Sequence, residues 1–253
     1  MQLTPEMFLI VCPMLFLAGL VDSIGGGGGL ISLPAYLFAG LPVHMAIATN
    51  KLSSACGTSL ATARFIRKGL VNLRLAVPSV AAAVLGASLG AKLSLAISET
   101  VMKYVLFAVL PVAAFFVLNR HLFRDGGKKG ASADRKTVIV CTVSAFVIGM
   151  YDGFYGPGTG TFLIIAFTVF AGMTVSSANA QAKVINLTSN ITSLVVFLLN
   201  GQVLIPLGLA AAACNIAGSW IGSGLAISKG TKIVRPVILL VLLLLLVKIM
   251  FGF

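Results

Sequence analysis

Apolar residues fill this chain in long runs, not in the spaced stripe of a surface helix, and the runs come in two lengths. Residues 7–24, 46–65, 73–95, 101–118, 137–155, 180–199, 203–227 and 234–250 each approach the ~20 residues that a helix needs to cross a bilayer. Residues 30–39 and 161–171 are shorter. At 1.5 Å per residue they cover about half of a ~30 Å hydrocarbon core. Each short piece follows a glycine cluster, Gly25 to Gly29 in one case and Asp152-Gly-Phe-Tyr-Gly-Pro-Gly-Thr-Gly160 in the other. The pattern predicts an all-α polytopic membrane protein of roughly 8–10 membrane segments, with two glycine-broken, re-entrant or kinked helices and about three full spans beside each.

The two glycine clusters are copies. Asp22 answers Asp152, Gly26 answers Gly156 and Gly28 answers Gly158. At an offset of 132, Gly40, Lys51, Gly69, Gly86 and Gly90 match Gly172, Lys183, Gly201, Gly218 and Gly222. The chain therefore divides into a repeat at 1–119, a polar linker at 120–136 and a second repeat at 137–253. Arg64, Arg67, Lys68 and Arg74 crowd a connection whose counterpart, Asn200-Gly-Gln-Val-Leu204, has no charge. Under the inside bias of basic loops, the repeats are inverted, the linker is cytoplasmic and both termini lie outside. Gly86-x-x-x-Gly90 and Gly218-x-x-x-Gly222 read as helix-packing positions.

Composition agrees: 58% of residues are hydrophobic, 9% are charged and the mean hydropathy is +1.07. The net charge of +12 sits in short connections, so it points to membrane topology and not to nucleic acid, which takes a continuous basic face. Cys12, Cys56, Cys141 and Cys214 are scattered singly, without metal spacing or a disulfide framework. The first span lacks a basic start and a small-residue cleavage site, so it is expected to be retained. No Ser-His-Asp or Cys-His set converges and His-Glu-x-x-His is absent, so neither an enzyme nor a metal or cofactor is expected.

Broken helices in corresponding positions of two inverted halves mark the central site of a secondary transporter. The helix starts at Gly26, Gly27, Gly28 and Gly29, and at Gly156, Gly158, Thr159 and Gly160, offer unpaired N–H groups and a positive dipole end, which suits an anion. The plainer alternative is that these glycines only let helices cross. Lys51 and Lys183 hold equivalent places inside apolar spans, where a charge is functional by default. Snorkelling to the interface is the alternative. Around them lie Thr49, Asn50, Ser53, Ser54 and Thr58 in one half and Asn179, Gln181, Asn186, Ser189 and Asn190 in the other. Their donors suit an oxyanion, or else serve as interhelical glue. Asp22 and Asp152 are open to three roles: pairing with the lysines, holding the broken backbone, or titrating in ion coupling.

At these residues the chain resembles the sulfite exporter TauE/SafE permeases. The resemblance is carried by Gly25-Gly-Gly-Gly-Gly-Leu30, Ala48-Thr-Asn-Lys51 and Arg67-Lys-Gly69, then by Tyr151 to Gly160, Ala182-Lys183 and Ser189-Asn190. It covers nearly the whole chain. It implies export of sulfite or a small organosulfonate across the cell inner membrane, coupled to a proton or other ion gradient. The anion is left open, as are the coupling ion and a homodimer. A carboxylate or other small-anion carrier, an anion channel and a non-transporting membrane scaffold are the competing readings.

Overall fold

The computed structural model describes residues 3–98, 100–101, 133–230, 232–234 and 236–237. They are helical, with no strand among the described residues. In chain order the helices are α1 (Pro5–Gly25), α2 (Gly29–Phe38), α3 (Val43–Arg67), α4 (Leu73–Ala96), α5 (Arg135–Phe154), α6 (Thr159–Val169), α7 (Val175–Leu199) and α8 (Ile205–Lys229). The expected spans at 101–118 and 234–250 and most of the linker lie outside the described residues. Five helices (α1, α4, α5, α7 and α8) are long and apolar enough to cross a membrane, and α2 and α6 are the two short apolar pieces. The chain is a multi-pass membrane protein.

α3 has 25 residues yet falls outside those five, because its buried side carries Thr49, Lys51, Ser53, Thr58 and Thr62. It is polar on the inside. The outer surface is the reverse: Leu9, Val77, Leu85, Val143, Leu199 and Trp220 are exposed on long helices, as expected where the solvent is lipid. Asn72 and Thr174 cap α4 and α7, accepting from the N–H groups of Arg74 (3.0 Å) and Ser177 (3.4 Å).

Helices exchange partners between the halves. α1 packs on α8, and α4 on α5, each pair held at backbone distance by glycines. A Cβ on Gly218 or Gly222 would overlap the carbonyl of Phe16 or Leu20, and one on Gly86 or Gly90 that of Phe146 or Met150. Side chains at these positions would force the pairs apart, which accounts for the spaced glycines. Because 16 meets 218 and 20 meets 222, α1 and α8 run parallel; by the same reading, α4 and α5 do too. α3 and α7 run antiparallel, since the Thr62 hydroxyl donates to Lys183 O while Lys51 reaches Asn190. These two polar helices pack against each other.

Candidate functional site

The site begins where α1 stops. Gly26 has φ +83°, a conformation only glycine adopts freely, and its N–H closes on Asp22 O at 2.8 Å. The last carbonyls of α1 have no partner in their own helix. The other half supplies partners: Thr161 Oγ1 donates to Gly25 O (2.8 Å), Thr161 N to Gly26 O (3.2 Å) and Asn179 Nδ2 to Ile24 O (3.0 Å). Gly26 and Gly160 touch backbone to backbone, so a Cβ on either would overlap the other. In the second break Gly158 caps α6 with φ +84°, and Tyr151 Oη donates to Pro157 O (2.6 Å). The broken backbone is thus satisfied by protein in both breaks, as a chain in lipid requires.

Both lysines are buried inside the protein: Lys51 is 2% exposed and Lys183 0%. They do not snorkel. Each pairs with the aspartate of the opposite half, Lys51 with Asp152 (2.9 Å) and Lys183 with Asp22 (2.6 Å). Lys183 Nζ also donates to Asp22 O. Both carboxylates have further partners. Asp152 accepts from Thr159 Oγ1 (2.7 Å) and Ser189 Oγ (2.5 Å), and Asp22 accepts from the N–H of Gly28 (3.4 Å). Of the roles open to the acids, pairing and holding the broken backbone are both realised. The helix starts expected to cradle an external anion are faced by the chain's own carboxylates.

The two breaks, α3, α7 and α8 line a cavity of about 20 Å³, against the ~10–15 Å³ that one water needs. Gly26, Gly28, Gly29, Asn50, Lys51, Ser54, Gly156, Gly158, Thr159, Gly160, Asn186 and Asn190 line it, with both acids. Four candidate residues do not. Gly27 gives its carbonyl to Leu30 N (3.1 Å), Thr49 Oγ1 accepts from Leu204 N (3.0 Å) and Gln181 Oε1 from Asn72 N (3.2 Å). Lys183 stays sealed against Asp22, although its counterpart Lys51 faces the cavity. Thr58 and Asn215 line it too. Thr58 was visible as a hydroxyl two turns beyond Lys51; nothing in the apolar run 203–227 marks Asn215.

One chain of hydrogen bonds sets the polarity of the cavity. An ammonium only donates, so Lys51 Nζ must meet the oxygen of Asn190, at 3.1 Å. That orients Asn190 Nδ2 onto Asn186 Oδ1, also at 3.1 Å. The NH₂ of Asn186 is then left without a partner among the described residues, on the cavity wall. Asn50 follows the same logic, its oxygen taken by Ser54 Oγ (3.3 Å). On both asparagines the oxygen is taken and the NH₂ remains.

Comparison with known proteins gives the family. A family model described as sulfite exporter TauE/SafE matches residues 11–249. A probable membrane transporter protein, ORF9, of a Sinorhizobium species is 38% identical over 93% of this chain and 89% of its own length. A probable membrane transporter protein of Haemophilus influenzae is 34% identical over 94% and 92%, and the probable membrane transporter protein YfcA of Escherichia coli 33% over 95% and 88%. No solved structure gives a significant match. With a buried polar centre inside apolar helices and a family model across nearly its whole length, this chain belongs to the TauE/SafE sulfite exporter family of membrane transporters, which are not enzymes.

Proposed function

We propose that this protein is a secondary transporter that exports a small sulfur-containing anion, sulfite or an organosulfonate, across the cell inner membrane by alternating access. The cavity at Lys51 is the central site. The observation that carries the reading is the relay from Lys51 through Asn190 to Asn186, which leaves the cavity wall presenting donors to whatever enters. An oxyanion has only acceptors to offer, so it matches such a wall. Lys51 is the cation on the cavity wall, beside Asp152, while Asp22 on the same wall is paired with Lys183 behind it, so an arriving anion shares Lys51 with Asp152 and does not meet a free cation.

The repeats at 1–119 and 137–253 are read as inverted. Three packing relations support this: α1 parallel to α8, α4 parallel to α5, and α3 antiparallel to α7. Short turns reverse direction between α3 and α4 and between α7 and α8, so α1 and its counterpart α5 point opposite ways. Rocking of the halves about the contact between Gly26 and Gly160 would expose the cavity to each side in turn.

The test is thermal stability of the detergent-purified protein with sulfite, sulfate, thiosulfate, sulfoacetate and small carboxylates at matched ionic strength. A ligand at 100 times its Kd adds about 2.7 kcal/mol. A sulfur oxyanion is expected to stabilise the protein, and Asn186→Asp to cancel the effect. That variant keeps an oxygen for Asn190 but replaces the free NH₂ with a negative oxygen. Equal stabilisation of the variant, or a response to carboxylates alone, would count against the site or the substrate class respectively.

A further inference from the structure

We propose that Asn215 on α8 decides which anions the cavity accepts, by closing the end away from Lys51 and holding the site to compact oxyanions. The inference rests on reading the cavity as the transport site.

Asn215 is 5% exposed and lines the cavity. Its oxygen is 3.3 Å from the hydroxyl of Ser219, which also lies 3.4 Å from Gly19 O. Its NH₂ has no hydrogen-bond partner among the described residues, on a side chain that lines the cavity. Burying a polar group without a partner is costly, and such groups in folded proteins usually have a use. The chain also makes room for this side chain. A Cβ on Gly57 would overlap the Asn215 side-chain oxygen, whereas Gly19 chiefly admits the Asn215 backbone carbonyl.

The halves differ here. At the offset of 132, the counterpart of Asn215 is Ala83, fully buried against Gly149. The polar residue belongs to one half only, as does the cavity-facing lysine. Packing alone is served by alanine at the equivalent crossing, so packing does not account for the amide.

Position then assigns the role. Gly57 and Thr58 lie six and seven residues beyond Lys51, about 9–10 Å along α3 at 1.5 Å per residue. The Thr58 hydroxyl, also lining the cavity, has no partner among the described residues either. One end of the cavity therefore holds the ammonium, and the other holds two neutral donors, Thr58 and Asn215. A cavity of about 20 Å³, on the scale of one or two waters, leaves no room for a carbon tail beside the oxygens of a compact anion. A carbon tail needs the volume that the Asn215 amide fills.

The experiment measures Kd for sulfite and for sulfoacetate, at one ionic strength, on the full-length purified protein and its variants. Asn215→Ala is expected to weaken sulfite by about tenfold or more, the scale of one hydrogen bond to a charged ligand, while sulfoacetate holds or tightens. Asn215→Asp, nearly the same shape, is expected to lose both anions. An unchanged sulfite-to-sulfoacetate ratio in Asn215→Ala, with Asn215→Asp still binding, overturns the proposal. Unfolding without ligand is followed in parallel. If Asn215→Ala does not fold, the Asn215→Asp result alone decides, retained sulfite binding counting against. A neutral pair, Lys51→Met with Asp152→Asn, separates the two levels. If it binds both anions like the unaltered protein, the cavity reading itself fails. If it binds neither while Asn215→Ala keeps the original ratio, only the role of Asn215 fails. Binding of neither anion by the unaltered protein overturns both.

Discussion

Lys51→Ala is expected to abolish transport and to remove about 3–5 kcal/mol of stability, the cost of breaking a buried ion pair by deleting one partner. The loss comes from what is left behind. Asp152 keeps Thr159 and Ser189 as donors but has no cation within a buried site. Replacing both members, Lys51→Met with Asp152→Asn, removes the stranded charge and is expected to recover most of the stability, since neutral replacements of buried pairs are often tolerated. Transport should stay lost. Unfolding midpoints in detergent read the first effect and flux in liposomes the second. Recovery of flux along with stability would show that the pair is structural and that substrate does not use Lys51.

Gly26→Ala is expected to cost about 2–5 kcal/mol, adding left-handed backbone strain of about 1–2 to overpacking of about 1–3. At φ +83° its Cβ would lie 2.6 Å from Gly160 Cα and 2.5 Å from Thr161 N. Neither atom is free to retreat, because Thr161 N also donates to Gly26 O at 3.2 Å. Gly40 isolates the conformational part: it has φ +84°, and a Cβ there would meet nothing within 4 Å. Gly40→Ala should therefore lose only the smaller share, and equal losses in the two variants would mean that the contact between the breaks contributes nothing to stability.

Much of this architecture was legible in the sequence because a membrane punishes exceptions. Runs of apolar residues must be spans, and glycines and charges inside them need a reason. The breaks at Gly25 to Gly29 and at Asp152 to Gly160 were readable for that cause, as were the packing glycines and the two buried lysines. Hydropathy gives α3 least well, since its inner side is built of hydroxyls and Lys51. Partner choice was not legible. Lys51 takes Asp152 and Lys183 takes Asp22, each across the halves, and a repeat pattern does not say which copy a residue meets. Equivalence also hid the asymmetry that leaves Lys51 at the cavity and Lys183 sealed. Asn215 escaped because a single amide in an apolar span looks like any interhelical contact until Gly57 is seen to make space for it.

Counterflow reads whether a single site faces each side of the membrane in turn. Proteoliposomes loaded with unlabelled sulfite and diluted into a trace of labelled sulfite are expected to accumulate label transiently above equilibrium, and not to do so when Lys51→Met and Asp152→Asn are combined. A carrier with one alternately exposed site accelerates exchange in this way. Label that only equilibrates, at the same rate with empty and loaded vesicles, would contradict alternating access at the Lys51 cavity.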